Sequence, residues 1–298
     1  MGSKTLPVEH SRAWLTSLAA KCLDVASEEI EAQVPLSQYG MDSLAQIQLS
    51  TAIEISVGRS LPDSFLCDHQ DIASIERFLN REEDPTATSS HSDSMPSAYL
   101  ERMRADSSLP RDIQPSPGTL NGDNPDFVLL TGATGFLGGY LLSTLLRETT
   151  ATVLCLVRSS GKSEGQNRIQ QNLKSFGLWE PGLETRIRVI PGDVSRPRLG
   201  WSKRQYQELS KQVNVIHHAA ADVNWVYPYS QLREVNVQGT LNLLRLASLN
   251  KSKPFHFISS LAVCYSTSGP REVSEEDQML AYLDGIHLGY AQSKCVAE

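Results

Sequence analysis

Two parts of this sequence carry residue types and spacings that could support chemistry. Near the carboxyl end, GYAQSK places Tyr290 four residues before Lys294, so a helix would bring both side chains to one face, one turn apart. A phenol and an ammonium group held together are suited to proton transfer to or from a bound substrate. A Tyr-x-x-x-Lys pair by itself is a common coincidence, so its meaning depends on the elements that would position it.

The second part is Ser43 in PLSQYGMDSLAQIQL, at the start of a run of apolar residues at helical spacing. The apolar face of this predicted helix comprises Leu44, Ile47, Leu49 and Ile53,. An Asp-Ser pair before such a helix can be no more than a helix cap, with Asp42 accepting backbone N–H bonds. The serine also offers a hydroxyl at the mouth of the helix, although nothing near it in the sequence provides catalysis.

The residues around Ser43 are predicted to form a small all-α helix bundle over 9–82. Amphipathic helices are indicated over 11–23, from Ser43 onward and over 71–79, because apolar residues recur there at helical spacing. On the first helix these residues are Trp14, Leu15, Leu18, Ala19, Cys22 and Leu23. Residues 1–82 contain six Lys or Arg and twelve Asp or Glu, so most of the chain's net charge of -7 lies in this part.

A change in composition separates this bundle from the rest of the chain. The stretch that runs from 82–97 to 115–125 is rich in Pro, Ser, Asp and Asn, and within it 83–98 is predicted to be a linker, since such a composition cannot bury enough apolar surface to fold alone. A short helix in AYLERMRADSSLP would then belong as an arm to a second domain, 99–298. A chain of 298 residues is long enough for one domain of ordinary size and a smaller one,.

The second domain contains a glycine-rich turn between a predicted strand and a predicted helix. DFVLLTGATGFLGGYLL begins with an apolar strand over 127–130. Gly132 would permit a tight turn, Gly135 would let the backbone approach a pyrophosphate, and Gly138 would allow close helix packing. The apolar face of the helix is expected to comprise Leu137, Leu141, Leu142, Leu145 and Leu146. Glycines at this spacing between strand and helix indicate a dinucleotide site.

Further strand-like runs alternate with helices: ATVLCLVRSS, RIRVIPGDV, VNVIHHAAA and PFHFISSLAV. This alternation predicts the α/β class, with a doubly wound, Rossmann-type parallel sheet. Asp193 and Val194 fall where such a fold would meet an adenine. His217 and His218 are adjacent on a strand and would point to opposite faces. Because no acidic or Cys partner stands at ligand spacing, no metal site is predicted.

Arg158 ends the second strand at the position that distinguishes NADH from NADPH. A carboxylate there would bind the ribose 2'-hydroxyl, whereas a cation suits a 2'-phosphate. The sequence therefore favours NADPH, with Lys162 and Arg168 as further cations that could help. A solvated arginine at a strand end is the alternative interpretation.

The composition argues against several classes of function. A net charge of -7 disfavours a nucleic-acid partner,, and no apolar run approaches the ~18 residues that a spanning helix needs. MGSKTL at the N-terminus lacks the apolar core of a signal peptide,. Five scattered cysteines without ligand spacing indicate buried thiols in a reducing compartment,. We expect a soluble cytoplasmic protein without membrane partners.

PLSQYGMDSLAQIQL resembles the attachment motif of the acyl and peptidyl carrier proteins of polyketide and nonribosomal peptide synthetases. The resemblance covers residues 9–82, and the Gly-Met-Asp-Ser-Leu form is closer to polyketide acyl carriers. It implies that a phosphopantetheinyl transferase attaches 4'-phosphopantetheine covalently to Ser43. It also implies an upstream synthetase or acyl-loading enzyme that supplies an acyl thioester. The acidic surface would suit docking to basic patches on such partners.

TGATGFLG, GDV, HHAAADVNW, NVQGTLNLL, FISSLAV and GYAQSK follow the order and approximate spacing of the extended short-chain dehydrogenase/reductases. With a carrier upstream, the chain resembles the carrier and thioester reductase region that ends such synthetases, or a carboxylic acid reductase. By this resemblance, Tyr290 donates a proton to the substrate oxygen, and Lys294 supports it by its charge while binding the nicotinamide ribose. Ser260 would hydrogen-bond the carbonyl oxygen, with Ser259 as the less favoured alternative. The cofactor-binding residues would be Gly132, Thr134, Gly135, Phe136, Leu137, Gly138, Arg158, Asp193, Val194 and the active-site-supporting Asn236.

The resemblance implies reductive release in secondary-metabolite biosynthesis. NADPH would reduce the carrier-bound thioester to a free aldehyde and the pantetheine thiol, and a second reduction could carry some substrates to the alcohol. Members of the family continue well beyond this Lys, so the reductase domain is expected to be truncated at its C-terminus. The alternative function is a carrier module whose truncated Rossmann part binds nucleotide or docks a partner without catalysis. A sugar-nucleotide epimerase is a third interpretation, disfavoured because a carrier would have no role in it.

Overall fold

The structure is a computed structural model that describes residues 8–41, 43–58, 61, 65–80, 97–118 and 124–298, with the side chains of 8–11, 37, 43, 44, 47, 67 and 68 excepted. The chain divides into two compact units. The first comprises Met1–Ser94 with the short segments Asn224–Pro228 and Leu288–Tyr290, and the second comprises the remainder. The predicted domain limits around the linker 83–98 stay predictions, because most of that segment lies outside the described residues.

The first unit contains a helix bundle. Its helices are α1 (Val8–Leu23), α2 (Ser43–Val57), the single turn α3 (Phe65–Asp68) and α4 (Ile72–Leu79). The three predicted helices are confirmed, whereas the short α3 was not predicted. Asp42, the predicted helix cap, lies outside the described residues, and α2 begins at Ser43.

Apolar side chains from three helices close the core of this bundle. Those that are fully buried include Leu15, Ala19, Leu49, Ile53, Ile72 and Ile75. Burying each of the larger ones contributes about 1.5 to 3 kcal/mol relative to exposure. At the start of α4, Asp71 and Ser74 form a capping box that satisfies backbone N–H groups,. The bundle is therefore held by its apolar helix faces, as the periodicity indicated.

The second unit is built on a parallel sheet. Its strands are β1 (Phe127–Thr131), β2 (Thr152–Val157), β3 (Ile187–Pro191), β4 (Val215–His218) and β5 (Phe255–Phe257). Their order in the described part of the chain is β3-β2-β1-β4-β5, and all four pairings are parallel. From β1 the chain adds β2 and β3 on one side and then returns to add β4 and β5 on the other side. The topological switch point therefore lies between β1 and β4. The predicted Rossmann-type sheet is confirmed.

Helices cover both faces of the sheet. The remaining helices of the chain are α5 (Ser97–Asp106), α6 (Phe136–Glu148), α7 (Lys162–Ser175), α8 (Lys203–Gln212), α9 (Tyr229–Arg233), a π-helical turn (Glu234–Gln238), α10 (Gly239–Ser248) and α11 (Gly289–Ala297). Leu130 and Val153 pack with α6 and α7 on one face. Leu129 and Ile216 pack with α8 and α10 on the other. Strands buried on both faces explain the continuous apolar runs in the sequence.

The helical arm α5 is anchored on the second unit by a charged residue. Asp106 accepts hydrogen bonds from Tyr229 Oη at 2.7 Å and from two guanidinium nitrogens of Arg233 at 2.6 Å. Met103 of the same helix is fully buried. Farther along, Asp112 pairs with Arg245 of α10 at 2.7 Å. The predicted short helix is confirmed, and it packs on the segment that leads into the π-helical turn.

Two expectations are wrong in detail. Leu142 and Leu146 face the core, but Leu137 is 48% exposed, because the first turn of α6 lies at the carboxyl edge of the strands, beyond the packed faces. Cys22 and Cys264 are only partly buried thiols. Within the described residues, no helix has both the length and the apolar character needed to cross a lipid bilayer.

Candidate active site

The carboxyl ends of the parallel strands gather predicted site residues at one edge of the sheet. Gly132 follows β1, Arg158 follows β2, Asp193 lies just beyond β3, and Ser260 lies just beyond β5. Ligands of open α/β sheets bind outside these ends, at the switch point between strand crossovers. The sheet therefore brings together residues that are far apart along the chain.

The glycine turn after β1 has the geometry that a dinucleotide site requires. Gly132 has φ +79°, and a Cβ on it would lie 2.7 Å from the carbonyl carbon of Ala219. A Cβ on Gly138 would lie 2.0 Å from the carbonyl oxygen of Gly132, so only glycine lets α6 pack this close. The tight turn predicted at Gly132 and the close helix packing predicted at Gly138 are therefore present, while binding of a cofactor by these residues stays a prediction. A Cβ on Gly135 would come no nearer than 3.4 Å to a protein atom, so the approach of a ligand remains the predicted reason for glycine there.

The start of α6 leaves backbone donors available beside this turn. Gly135 is the N-cap, and no side chain caps the first turn. The first N–H groups of a helix lack intrahelical partners, and its dipole favours an anion. A pyrophosphate fits this donor set. Thr134 is partly buried at the site, and Phe136 and Leu137 are exposed at the helix start.

Asn172 of α7 holds the glycine turn in place, and the sequence analysis missed it. Its Nδ2 donates to the carbonyl oxygens of Ala133 at 3.2 Å and Gly135 at 3.0 Å. A Cβ on Gly139 would lie 2.8 Å from the same nitrogen. The last glycine of GFLGG, Gly139, therefore makes room for Asn172, and it is the sequence signal that could have indicated this contact.

Two arginines are linked beyond β2 through a backbone carbonyl. Arg158 is exposed directly after the strand, and a guanidinium nitrogen of Arg168 donates to its carbonyl oxygen. Lys162 is the first residue of α7. Glu164 accepts from the backbone and hydroxyl of Ser160 at 2.8 and 2.5 Å, which orders the loop between strand and helix. The structure thus brings Arg168 to Arg158, as a 2'-phosphate site would need.

Asp193 and Val194 line the end of β3 in different ways. The carboxylate of Asp193 accepts from the backbone and hydroxyl of Ser195 at 2.9 and 2.8 Å and closes a local turn. Val194 is buried, and its carbonyl accepts from Asn242 of α10 at 2.9 Å. Their predicted contact with an adenine stays a prediction.

Tyr290 and Lys294 lie one turn apart on α11, and both are buried, at 7% and 3% exposure. The ammonium of Lys294 donates to the carbonyl oxygen of Ile258 and lies 4.2 Å from the ring centroid of Phe257. Burial lowers the pKa of Lys294 to about 8, and the carboxylate of Glu298 partly opposes this effect,. Ile258, which accepts this hydrogen bond, lies two residues before Ser260 in the chain.

The two serines after β5 differ in their hydrogen bonds. Ser260 caps a short helical turn, and its Oγ accepts from the backbone N–H of Ala262 at 3.2 Å. Its own hydroxyl hydrogen is left to donate. Ser259 Oγ is buried and has no hydrogen-bond partner among the residues that the structure describes. Ser260 stays the predicted donor to a substrate oxygen, with Ser259 as the alternative.

Asn236 lies in the π-helical turn and is 2% exposed. Its Nδ2 donates to Ser293 Oγ of α11 at 2.9 Å and to the carbonyl of Asp222 at 3.0 Å. Its Oδ1 accepts from the N–H of Asp222 at 2.7 Å. Such turns recur at functional sites. Asn236 thus ties the loop after β4 to the helix that carries Tyr290 and Lys294.

The neighbouring histidines point to opposite faces of β4, as predicted. His217 stacks on His256 of β5 with ring centroids 4.5 Å apart, while His218 is enclosed on the other face near Thr240. No group of three or more His, Cys, Asp or Glu side chains that could hold a metal occurs in the described ranges.

Comparisons with known proteins place the chain in a family. Residues 130–298 match the NAD-binding family described as "Male sterility protein", and residues 13–79 match the family described as "Phosphopantetheine attachment site". The first match covers more than half of the chain, so the chain belongs to this NAD-binding family. The two matches imply NAD(P)H and covalent phosphopantetheine as cofactors.

Individual relatives agree with both matches. Isonitrile lipopeptide synthase of Streptomyces coeruleorubidus is 33% identical over 276 residues, which are 92% of this chain and 19% of that protein. The crystal structure of the terminal R domain from the myxalamid PKS-NRPS biosynthetic pathway shares 41% identity with a TM-score of 0.63, over 66% of this chain and 50% of that one. A thiolation-reductase di-domain from an archaeal nonribosomal peptide synthetase has a TM-score of 0.60 over 97% of this chain and 59% of that one, at 19% identity, and supports the fold alone.

The chain therefore spans less than two thirds of each of these relatives. The predicted resemblance to a carrier followed by a thioester reductase domain is confirmed, and so is the fold class. The individual site residues and the domain limits stay predictions.

Proposed function

We propose that this chain carries an acyl group on Ser43 and releases it by NADPH-dependent reduction of the thioester to an aldehyde, as part of a synthetase that makes a secondary metabolite. The observation that supports this best is the contact of Lys294 with the carbonyl of Ile258. It brings α11, with the Tyr-x-x-x-Lys pair, to the segment of Ser260 at the sheet edge where the glycine turn also lies. A carrier match upstream supplies the substrate-bearing group.

Each residue of the proposed site has a separate task. Tyr290 would donate its phenolic proton to the oxygen of the substrate carbonyl. Lys294 would keep a positive charge beside that oxygen and bind the ribose, and Ser260 would orient the carbonyl by a hydrogen bond. NADPH supplies the hydride when it is bound. Because Tyr290 and Lys294 are buried, water is largely kept from the proton donor and from the charge.

The choice of NADPH rests on the end of β2. Arg158 and Arg168 together offer two cations at the point where the fold family holds the adenosine ribose,. A guanidinium can bind a phosphate through two hydrogen bonds. The nearest carboxylate along this loop, Glu164, is engaged with Ser160.

The carrier would make the delivery of substrate intramolecular. A phosphopantetheinyl transferase would modify Ser43, and an upstream synthetase or loading enzyme would charge the thiol. A flexible tether raises the effective concentration of the acyl group to about millimolar. The excess of acidic residues in 1–82 suits docking to basic partners.

The experiment that tests this function follows the mass of the intact chain. The chain is incubated with coenzyme A and a phosphopantetheinyl transferase, loaded with an acyl group and then given NADPH or NADH. We expect one phosphopantetheine mass, absent in Ser43→Ala but present in the control Ser56→Ala on the same helix. Aldehyde release should fall by about 10²- to 10⁴-fold in Tyr290→Phe and stay unchanged in Tyr140→Phe.

The outcomes separate the alternatives. Modification of Ser43 without any release of aldehyde would support a carrier module beside a nucleotide-binding or docking domain. An unmodified chain would contradict the carrier function. Release that is equal in Tyr290→Phe and the unaltered chain would contradict the proposed proton donor.

A further inference from the structure

His218, the last residue of β4, is a buried titratable side chain that has no role in the function proposed above. It is 1% exposed, and the rings of Phe255 and Phe257 pack beside its imidazole with centroids at 6.1 and 5.7 Å. An imidazole enclosed in this way needs a partner for each nitrogen, because an unsatisfied buried polar group is costly. Both partners are threonine hydroxyls.

The other hydrogen bonds of these two threonines indicate which atom donates and which accepts in each contact with the imidazole. Thr240 Oγ1 lies 3.2 Å from Nε2 of the imidazole and donates its own hydrogen to the carbonyl oxygen of Asn236 at 2.6 Å, so its oxygen is left to accept from Nε2–H. Thr131 Oγ1 lies 2.8 Å from Nδ1 and accepts from the N–H of Ala220 at 3.1 Å, so its hydrogen is left to donate to Nδ1. The contacts therefore define a neutral imidazole with its proton on Nε2.

These bonds form a continuous path between the two halves of the site. Thr131 is the last residue of β1 and directly precedes the glycine turn. At the other end, Asn236 donates to Ser293 of α11 at 2.9 Å, and Ser293 directly precedes Lys294. The nucleotide-binding turn and the helix with the Tyr-x-x-x-Lys pair are thus linked through the imidazole.

The surroundings favour the same uncharged state. Burial, with a smaller contribution from the positive charge of Lys294, lowers the pKa of His218 to about 3,. The hydrogen-bond partners include no carboxylate that could stabilise an imidazolium. A proton on this ring would add a second buried positive charge near the ammonium of Lys294.

We propose that His218 is a positioning residue that, as a neutral Nε2–H imidazole, fixes the end of β1 and its nucleotide-binding turn relative to Asn236 and α11. Its effect on the reaction rests on the proposed function, whereas its tautomer follows from the hydrogen bonds alone. Both of its nitrogens are already bonded to protein atoms, so it acts through Thr131 and Thr240 and does not touch the substrate.

The tautomer is tested on the full chain labelled with ¹⁵N-histidine. Long-range ¹H–¹⁵N spectra report the charge and tautomer of each of the seven histidines. The signal of His218 is the one lost in His218→Gln or, if that variant does not fold, the one that moves in Thr240→Ser. We expect a neutral Nε2–H ring that does not change between about pH 5 and 8, where an ordinary histidine titrates. An imidazolium in this range, or an Nδ1–H ring, overturns the proposal.

The positioning role is tested with a matched pair of variants at Thr240. Thr240→Ser keeps the hydroxyl, whereas Thr240→Val keeps the shape and loses both hydrogen bonds. We expect the dissociation constant for NADPH to rise about tenfold in Thr240→Val, the equivalent of about 1.4 kcal/mol. In Thr240→Ser it should stay within about twofold, the scatter expected of a variant that keeps the bond.

The temperature of measurement separates positioning from stability. A residue that only stabilises the fold would lower the midpoint of thermal unfolding and leave the NADPH affinity unchanged well below that midpoint. Equal affinities of all three chains under those conditions overturn the positioning role. If the unaltered chain does not bind NADPH, the proposed function fails, and the tautomer spectrum still decides the state of His218.

Discussion

Lys294 is an ammonium group in a place where little water can stabilise its charge. Burial lowers its pKa to about 8, and an unperturbed lysine titrates near 10.4. In the proposed mechanism Lys294 acts in its charged form beside the substrate oxygen, so we expect kcat/KM for aldehyde release to be constant below about pH 7 and to fall through about pH 8. A pH–rate profile of the unaltered chain measures this.

The control for this profile is Lys294→Arg, since a guanidinium keeps its charge throughout the range. Any activity that this variant retains should not decline near pH 8. A profile of the unaltered chain that stays flat to about pH 10, the ordinary lysine range, would contradict the assignment. The stability of the fold should show the opposite trend. Between about pH 8, where folded Lys294 titrates, and about pH 10.4, where an ordinary lysine titrates, the unfolded chain binds more protons than the folded chain,. The free energy of unfolding should therefore rise with pH in this range.

Arg158 governs the choice between the two nicotinamide cofactors in our proposal. Replacing it by alanine removes the cation that would meet the 2'-phosphate and leaves the glycine turn intact. We expect Arg158→Ala to raise the KM for NADPH by about 10- to 100-fold, the range for a charged hydrogen bond of 1.5 to 3 kcal/mol. The KM for NADH should change little.

Lys211→Ala is the matched control for Arg158→Ala, because Lys211 is an exposed cation on α8 that pairs only weakly with Glu208 at 3.3 Å,. Steady-state kinetics with both cofactors gives the comparison. An equal loss with NADPH and NADH would show that Arg158 does not bind the 2'-phosphate.

At the scale of elements, the carboxylate of Asp106 joins the arm α5 to α9 within the second unit. Burial alone would raise the pKa of Asp106, but the hydrogen bonds from Arg233 and Tyr229 outweigh it and lower the pKa. Asp106→Asn should cost about 2 to 3 kcal/mol of unfolding free energy, because the partly buried Arg233 loses its more buried counter-ion and keeps only the exposed Glu234 at 3.1 Å,. Urea denaturation measures the change.

The exposed pair of Asp112 with Arg245 provides the control for this arm. Asp112 is 59% exposed in its side chain, so Asp112→Asn should leave the denaturation midpoint almost unchanged. The stabilisation by Asp106 is present above the ordinary carboxyl pKa and is lost as the pH falls through its lowered value. Equal midpoints for the two variants would show that the arm is held by apolar contacts such as those of Met103.

At the scale of the whole molecule, charge and composition divide the chain in the same place as the family matches. The acidic excess lies in 1–82, and the phosphopantetheine match lies within that part, at 13–79. The remaining residues are nearly balanced in charge and contain the NAD-binding match. This difference in charge fits our proposal, in which the acidic first part docks to basic partner proteins and the nearly neutral second part binds a cofactor.

The elements of both parts were predictable because each depends on local sequence. Apolar residues at helical spacing gave α1, α2 and α4, and continuous apolar runs gave the five strands. The glycine turn was recognisable because its conformation needs glycine at Gly132 and Gly138. Leu137 was misplaced, since periodicity cannot tell where the end of a helix passes beyond the sheet.

The contacts that hold the site together could not be derived from local patterns. Thr131 and His218 are 87 residues apart, and Asp106 and Arg233 are 127 apart. A hydrogen bond between such residues depends on strand order, register and helix packing, which arise only when the chain is folded. Local periodicity and residue type thus specified the elements and the predicted site residues, while long-range packing set the hydrogen-bond partners of His218, the contacts of Asn172 with the glycine turn and the charge environment of Lys294.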